Sequence, residues 1–372
     1  MKTANTLRDG LLAASLVLWA GGASGSRAQQ SDARHIENAQ VQTRSIGGTL
    51  AATMTELEKS ATSALWVGYP VNAVAGQRTI CCGNYNDGES CRKCALENGD
   101  VRDAVKAKNE ASKNPLRLEG ERRLTVLFRL QDKQLMRVNV ATESCVLDGG
   151  GLPFVWLTDV KPAESVAFLV EYVRDENLGG HGRHSVGNEA LMAMALHDGP
   201  QAQVALESFT APAQPEEVRK QAAFWLGVAR GKEGLTALQR MAKNDPSSEV
   251  RGHVAFALSV SKEPAALEEM IRMAHDDESG HVRGQAIFWL AQKAGKRAVS
   301  AIDGAIANDP DTEVKKKAVF ALSQLPKDEG VPKLIQVAEN NRNPEVRKQA
   351  MFWLGQSQDP RALSFFEKVL LK

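Results

Sequence analysis

The nine-residue stretch VRKQAAFWL at 218–226 recurs along the second half of the chain with its first Val, its Phe and its final Leu unchanged. The further copies read VRGHVAFAL at 250–258, VRGQAIFWL at 282–290, VKKKAVFAL at 314–322 and VRKQAMFWL at 346–354, so the period is 32 residues. Within each copy the first residue, the small fifth residue and the final Leu stand four apart, a spacing that places them on one face of a helix.

A second apolar stripe follows each copy with spacings of three, which again predicts a helix. The stripes are Leu235/Leu238/Met241, Leu267/Met270/Met273, Val299/Ile302/Ala305, Val331/Leu334/Val337 and Leu363/Phe366/Val369. Each unit is therefore predicted to be two short antiparallel helices. Neither helix can bury its apolar face alone, so neighbouring units must stack into an α-solenoid over 185–372, with a more degenerate first unit near Val186.

In four of the five copies, the basic second residue is preceded, six positions earlier, by Asp or Asn. The pairs are Asp245/Arg251, Asp277/Arg283, Asp309/Lys315 and Asn341/Arg347. With the period, this pattern resembles the HEAT repeat, and it is most similar to the short variety first described in phycobilisome lyases, over roughly residues 180–372. The resemblance implies a right-handed superhelix of HEAT-like helix pairs in which these residues form a structural ladder between adjacent repeats. Ligand binding by the basic residues is the alternative.

A further alternation runs through the position after the repeated Phe. Trp225, Trp289 and Trp353 occupy it in every second unit, and Ala occupies it in the others. Close packing of large against small residues favours an inter-repeat packing role for these side chains. An aromatic platform for a ligand is the alternative interpretation.

The N-terminus has the layout of a secretory signal peptide at 1–28. Lys2 and Arg8 precede a short apolar run at 11–20, and Ser26 and Ala28 offer small side chains at a cleavage site. The sequence therefore predicts export, with a periplasmic or extracellular location. No later segment is predicted to span a membrane.

Between this leader and the array, three regions are predicted. Residues 29–62 are a flexible segment followed by an amphipathic helix, and 63–160 form a small β-rich α+β module that contains the cysteines. Its clearest feature is a hairpin turning at 131–133. Residues 161–184 are a helix opened by Pro162, predicted to cap the first repeat, and a Gly/His linker.

All five cysteines lie in the N-terminal half, and an exported chain favours disulfides. The disulfide candidates are Cys81, Cys82, Cys91, Cys94 and Cys145; the odd count leaves one thiol over or paired with another chain. The weaker alternative is a metal site, with Cys82, Cys91, Cys94 and Cys145, or His181 and His184 in the linker, as ligands.

No catalytic or cofactor-binding constellation stands out, so none is predicted. Some HEAT-type hydroxylases bind iron through His-Glu pairs on their helices, whereas this chain has only His197-Asp198 and His275-Asp276. A formal net charge of +1 argues against nucleic acid as a partner.

The sequence therefore favours a non-enzymatic exported scaffold that binds a protein or peptide. The terminal apolar helix, with Phe365, Leu370 and Leu371, is a candidate surface for association. The alternatives are a metal- or redox-active protein, and an oxidoreductase or lyase by analogy with the HEAT family.

Overall fold

The computed structural model describes residues 36–77, 80–81, 84–85, 93–97, 121–173, 185–293 and 296–371. In the N-terminal half the strands are β1 (Ile36–Glu37), β2 (Gln40–Ser45), β3 (Leu65–Gln77), β4 (Ile80–Cys81), β5 (Asn84–Tyr85), β6 (Lys93–Ala95), β7 (Glu121–Gln131), β8 (Gln134–Thr142), β9 (Val146–Asp148) and β10 (Pro153–Thr158). Helix α1 (Leu50–Ser60) follows β2, and helix α2 (Pro162–Val173) follows β10.

Five strands form the main sheet in the order β2-β10-β3-β7-β8. Strands β3, β7 and β8 run antiparallel, whereas β10 pairs in parallel with both β2 and β3. The hairpin predicted at 131–133 is confirmed: Asp132 and Lys133 form its turn with φ of 52° and 61°. Positive φ at both central residues gives the backbone twist that matches a right-handed β-ribbon.

The two faces of this sheet are buried against different layers. Side chains such as Tyr69 and Phe128 enter a large core shared with α1, α2 and the repeat helices. Trp66 and Phe154 point to the other face and join a smaller core with Cys94 and Cys145. Alternation along each strand thus divides the apolar residues between two cores.

The prediction that the segment before the amphipathic helix is flexible is wrong for its described part. Strand β1 pairs with β9, and β2 pairs with β10 along six residues. The side chains of β2 are mostly exposed, so the segment has no apolar pattern. Main-chain hydrogen bonds to β10 hold it in place, and these carry no side-chain signal.

The C-terminal half consists of consecutive helix pairs. The first helices are α3 (Val186–Leu196), α5 (Glu216–Ala229), α7 (Ser248–Val260), α9 (Gly280–Lys293), α11 (Thr312–Ser323) and α13 (Pro344–Gln356). The second helices are α4 (Pro200–Ser208), α6 (Gly231–Asn244), α8 (Ala265–Asp276), α10 (Lys296–Asn308), α12 (Lys327–Asn340) and α14 (Pro360–Leu370). Helix α2 packs on α3 and α4, at the start of the array. No helix among the residues that the structure describes is long and apolar enough to cross a bilayer.

The two sets of helices pack very differently. Each first helix lies directly against the next first helix along the array, whereas successive second helices touch far less. At Gly227 on α5, a Cβ atom would stand 2.3 Å from the carbonyl oxygen of Ala257 on α7, so only glycine allows this approach. An array that is tight on one side and splayed on the other curves toward the tight side. The first helices therefore line the concave surface.

Candidate binding surface on the repeat array

One phenylalanine faces the concave side from each of the five first helices α5, α7, α9, α11 and α13. We name these five residues the phenylalanine row: Phe224, Phe256, Phe288, Phe320 and Phe352. The first four are half-buried, and Phe352 is 54% exposed. The row arises because the same position of the repeated stretch falls on the same side of every first helix.

The alternating Trp residues join this row from unit to unit. Trp289 packs on Phe256 of the preceding unit, with ring centroids 4.6 Å apart, and Trp353 packs on Phe320 at 4.8 Å. Where Ala stands instead, the phenylalanines of adjacent units stack on each other, at 5.7 Å for Phe224–Phe256 and 6.1 Å for Phe288–Phe320. The three Trp side chains are only partly buried. Trp289 and Trp353 therefore combine the two roles that the sequence left open, contact between repeats and an accessible aromatic surface.

Polar side chains precede each Phe of the row by one turn, whereas the positions one turn after it hold either Val or Gln. One turn before each Phe stand Gln221, His253, Gln285, Lys317 and Gln349, and one turn after stand Val228, Val260, Gln292, Gln324 and Gln356. The charges at the beginnings of these helices are paired locally. Lys220 contacts Glu217 at 2.8 Å, and Lys316 contacts Glu313 at 2.9 Å. The immediate surroundings of the row are therefore rich in amides, and Lys317 is a charged residue one turn from Phe320.

Two buried polar atoms beside the row lack hydrogen-bond partners among the described residues. They are Nε2 of His253, whose ring packs edge-on against Phe256, and Nε1 of Trp353. Burial, with a further contribution from Lys220, lowers the pKa of His253 and favours the neutral ring, while Glu217 opposes the shift. Buried polar atoms are nearly always satisfied in native proteins, so both positions need an explanation.

A cavity of about 220 Å³ opens between α11, α12 and α13. Leu322, Gln324, Leu334, Trp353 and Gln356 are among its lining residues. It combines apolar walls with amide groups at the end of the phenylalanine row where Trp353 has no acceptor. This arrangement suits a small apolar group that carries a hydrogen-bond acceptor.

Ion pairs join adjacent repeats, and each pairs an arginine with the Asp 26 residues later rather than with the Asp six residues earlier. Each guanidinium binds the Asp of the following unit through two nitrogens. The rungs, with their Nε–Oδ2 distances, are Arg219–Asp245 (2.9 Å), Arg251–Asp277 (2.9 Å) and Arg283–Asp309 (2.7 Å). The residue six positions earlier contributes its backbone instead: the carbonyl oxygen of Asp245 accepts from Nη1 of Arg251 at 2.9 Å.

The ladder differs from the prediction at both ends. Arg219 is an additional rung that the pattern analysis missed, although it stands 26 residues before Asp245, as Arg251 does before Asp277. Lys315 and Asn341 do not form a rung: Lys315 donates to the carbonyl of Ala307, and Asn341 accepts from the amide of Asn343. A single ammonium cannot reproduce the two-nitrogen fork of arginine. Arg347 donates to the carbonyl oxygens of Asn341 and Arg342.

The Ser and His side chains that come closest to a catalytic arrangement are sealed inside the protein. Ser165 Oγ lies 2.8 Å from Nε2 of His197 and 2.8 Å from the hydroxyl of Tyr69, and all three residues are 0% exposed. Burial, helped by nearby Arg230, lowers the pKa of His197 to about 4, although the hydrogen bond to the carbonyl oxygen of Ala193 opposes the shift. No substrate can reach this group, so it serves as a polar joint between the sheet and the array.

The histidines of the two His-Asp dipeptides are not brought together. His197 lies in the buried joint, whereas the side chain of His275 is 85% exposed at the end of α8. Among the described residues, no group of three or more His, Cys, Asp or Glu side chains is arranged to hold a metal ion. His181 and His184 lie outside the described residues.

Cys94 and Cys145 lie in the smaller core, with exposures of 0% and 2%. Both are disulfide-bonded, which leaves neither as a free thiolate for a metal. Cys81 is described only in its backbone, where it pairs with Asn84. Cys82 and Cys91 lie outside the described residues, so the pairing of the five cysteines stays a prediction.

Comparison with known proteins agrees with the geometry of the array. The family model described as HEAT repeats matches residues 204–291 and 301–372. The C-terminal half contains HEAT repeats. This confirms the coarse part of the sequence resemblance, and the match begins within α4.

Two other comparisons add little. No curated protein matches the chain. Among solved structures, human deoxyhypusine hydroxylase in complex with glycerol is 16% identical with a TM-score of 0.26, and the match covers 56% of this chain and 90% of that one. A TM-score this low supports no inference about fold or activity.

Proposed function

We propose that the protein is a non-enzymatic, exported scaffold that binds a protein or peptide partner on the concave face of its HEAT repeats. The observation that carries the proposal is the phenylalanine row, which runs without interruption along five consecutive first helices. Solenoids present extended concave surfaces for partners, and a partly exposed apolar strip on such a surface is typical of an interaction site.

The N-terminal module supports the binding role as an anchor. Its main sheet is joined to the first repeat through Ser165, His197 and the pairing of Ala73 with His197. A fixed module at one end leaves the concave face open to a partner. In this proposal the repeats are of the short phycobilisome-lyase variety, and the cysteines form disulfides that stabilise the module after export.

Site-specific cross-linking tests the location of the partner. A photo-reactive residue is placed at Gln292, which is exposed on the concave α9, and in a matched variant at Gln239, which is exposed on the second helix α6. We expect the Gln292 probe to capture a discrete partner in the native host and the Gln239 probe to capture none. Equal capture at both positions would place the contact elsewhere and reject the concave face.

Export and disulfide formation are tested together by fractionation. We expect the mature chain to begin after the signal peptide and to be found outside the cytoplasm, with its cysteines bonded in non-reducing peptide mapping. Free thiols at all five positions, or a full-length chain in the cytoplasm, would contradict this part of the proposal.

A further inference from the structure

We propose that the groove between α13 and α14, at the end of the array, binds one amphipathic helix of a partner protein that carries an aspartate in the turn before that helix. We name this surface the end groove, and its lining residues are Arg347, Met351, Gly355, Leu363 and Val369. It is a different surface from the phenylalanine row, so the inference goes beyond the proposed function. The inner repeats have equivalent grooves that are filled, and these describe the occupant.

The filled grooves lie between the two helices of each inner repeat and hold the first helix of the next repeat. Helix α7 packs on both α5 and α6, and α13 packs on both α11 and α12. The middle position of the covered stripe on the first helix is fully buried in each of these units, at Ala223, Ala255, Ile287 and Val319. A single helix is therefore the occupant that this kind of groove accepts.

Helix α13 presents almost the same surface as α5, the helix that receives α7. The stretch EVRKQAMFWLG at 345–355 matches EVRKQAAFWLG at 217–227 in all but one residue, Met351 in place of Ala223. Among the described residues no further helix follows α14 to fill the groove. Met351 is therefore only partly buried, and its flexible side chain can adjust to an incoming helix.

The contact distance in this groove depends on a glycine. At Gly227 a Cβ atom would stand 2.3 Å from the carbonyl oxygen of Ala257, so α7 lies closer to α5 than a side chain would allow. At the equivalent Gly355, a Cβ atom would meet nothing within 4 Å. The second helix is uncovered as well, because Leu363 is 62% exposed where the equivalent Leu235 is 7% exposed. The end groove thus keeps the features of a helix contact and has no helix in it.

The charge of the occupant follows from Arg347. In the inner repeats, Arg219, Arg251 and Arg283 each bind the Asp that precedes the next first helix. Arg347 stands at the equivalent position, but it donates only through Nη1, to two backbone carbonyl oxygens. Its Nε and Nη2 have no partner among the described residues. An aspartate before the incoming helix would accept from both nitrogens and complete the rung.

An aromatic side chain completes the description of the occupant. Each inner phenylalanine of the row is covered by a ring from the next unit, as Phe224 is by Phe256. Phe352 is 54% exposed, and among the described rings it contacts only Trp353 of its own helix. A ring on the incoming helix, placed as Phe256 is on α7, would cover it.

The aspartate favours a partner protein over a second copy of this chain. The aspartates that precede first helices, Asp245, Asp277 and Asp309, are bound in the rungs of their own array, and their side chains are almost completely buried. A second copy would have to open its own repeats to supply one of them. A partner helix brings an aspartate that is still free to pair with Arg347.

The test uses the full chain and a fluorescent synthetic peptide of residues 245–276, which contains the aspartate, α7 and α8. Gly355→Ala places a methyl group where the incoming helix must lie. The matched control is Gly304→Ala on α10, where a Cβ atom would also meet nothing within 4 Å. Alanine is the better helix former, so both variants should melt at or above the temperature of the wild type.

We expect the peptide to bind the wild type, and Gly355→Ala to weaken binding at least about 10-fold because the added group crowds the contact. Gly304→Ala should leave binding within about 2-fold. Arg347→Met should weaken binding about 10-fold. A peptide with Asp245→Asn should lose a similar factor on the wild type and nothing further on Arg347→Met, since the two changes remove one interaction.

Each other outcome overturns the proposal. Absence of peptide binding would reject the groove as a helix site, and binding that Gly355→Ala leaves unchanged would place the peptide elsewhere. A dimer of the full chain that Gly355→Ala converts into a monomer would make a second copy the occupant. Partner capture at Gln292 is measured on the concave face, so the proposed function can stand or fail independently of these results.

Discussion

At the scale of single residues, the most consequential side chains are the arginines between repeats. Arg251 uses Nε and one Nη on Asp277 and its other Nη on the carbonyl of Asp245, so one guanidinium joins two successive inter-helix turns. The side chains of Arg251 and Asp277 are only 7% and 6% exposed. A pair this buried is costly to break, because removing one partner leaves the other charge without compensation.

We expect Arg251→Met to destabilise the protein by about 3–5 kcal/mol, since Asp277 would lose its buried counter-charge. Lys315→Met is the matched control, because Lys315 is the equivalent residue that forms no rung, and it should cost less than about 1 kcal/mol. Urea denaturation of both variants gives the comparison. Similar losses for the two would show that the rungs add little to stability.

The buried joint has a defined direction of hydrogen bonding. Nδ1 of His197 lies 2.7 Å from the carbonyl oxygen of Ala193, which can only accept, so Nδ1 carries the proton. Nε2 of the neutral ring then accepts from Ser165, and Ser165 accepts from Tyr69. Burial also raises the pKa of Tyr69, which keeps its hydroxyl protonated as the donor at the start of this chain.

The joint predicts a loss of stability in acid. The pKa of His197 is held at about 4 in the folded protein, below the value of 6.5 for an unperturbed histidine. Below about pH 6.5 the unfolded chain therefore binds the proton more readily. The contribution of neutral His197 is complete above that pH and is lost as the pH falls toward 4.

We expect the free energy of unfolding of the wild type to fall by roughly 3 kcal/mol over this window from His197 alone. Histidine 253 and several carboxylates contribute as well, so the informative quantity is the difference from His197→Gln, measured by urea denaturation between pH 4 and 7. In His197→Gln, the free energy of unfolding should fall less steeply as the pH is lowered. Parallel curves would mean that His197 does not carry the effect.

At the scale of helices, the alternation of Trp and Ala determines how neighbouring units meet. A Trp reaches back onto the Phe of the preceding unit, whereas an Ala lets two phenylalanines stack. The Trp–Phe contact and the Phe–Phe contact therefore alternate along the array, each recurring in every second unit. Interactions in a solenoid are mostly between neighbours, so damage at one contact is expected to stay local.

We expect Trp289→Ala to cost about 2 kcal/mol, less than the range for a fully buried Trp because this side chain is only half-buried. Hydrogen exchange should increase in α7 and α9, on either side of the lost Phe256 contact, while β3 and β7 remain protected. Val204→Ala, at a site 69% exposed on α4, serves as the control. An unchanged melting curve for Trp289→Ala would assign these rings to ligand contact alone.

At the scale of the whole molecule, one large core runs from the sheet into the last repeat. Its buried residues extend from Leu50 in α1 to Phe365 in α14, so the module and the array are joined by apolar packing as well as by the polar joint. At the other end of the array, around α14, apolar side chains are exposed instead of packed into this core. Leu363, Leu370 and Leu371 are 62%, 84% and 88% exposed, while Phe365 beside them is buried.

We expect this exposed end to promote weak self-association at high concentration. Replacing both Leu370 and Leu371 by Glu should shift sedimentation toward a single monomeric species without changing the melting temperature, because these side chains contribute little to the core. The pair Thr236→Glu and Gln239→Glu, both at exposed positions of α6, adds the same two negative charges and is the control. Identical sedimentation of all three proteins would show that this end is not a contact surface.

The sequence by itself determined the repeat architecture, because a period of 32 residues with apolar positions at helical spacing can be satisfied only by stacked helix pairs. It also determined the hairpin at Asp132 and Lys133 and the start of α2 at Pro162, where the chemistry is local. The hairpin and the start of α2 depend on residues close to one another in the chain, and the repeat architecture can be recognised by comparing one unit with the next.

Only the tertiary structure decided which residues meet across the repeats. The partner of Arg251 is Asp277 in the next unit rather than Asp245 in its own, because the length of the intervening helix pair brings residues 26 apart together. Strands β1 and β2 were invisible in the sequence, since backbone pairing with β9 and β10 places them without an apolar pattern. The phenylalanine row became a candidate surface only when the packing of the first helices showed which side of the array is concave. Curvature comes from contacts between units, and no single unit encodes it.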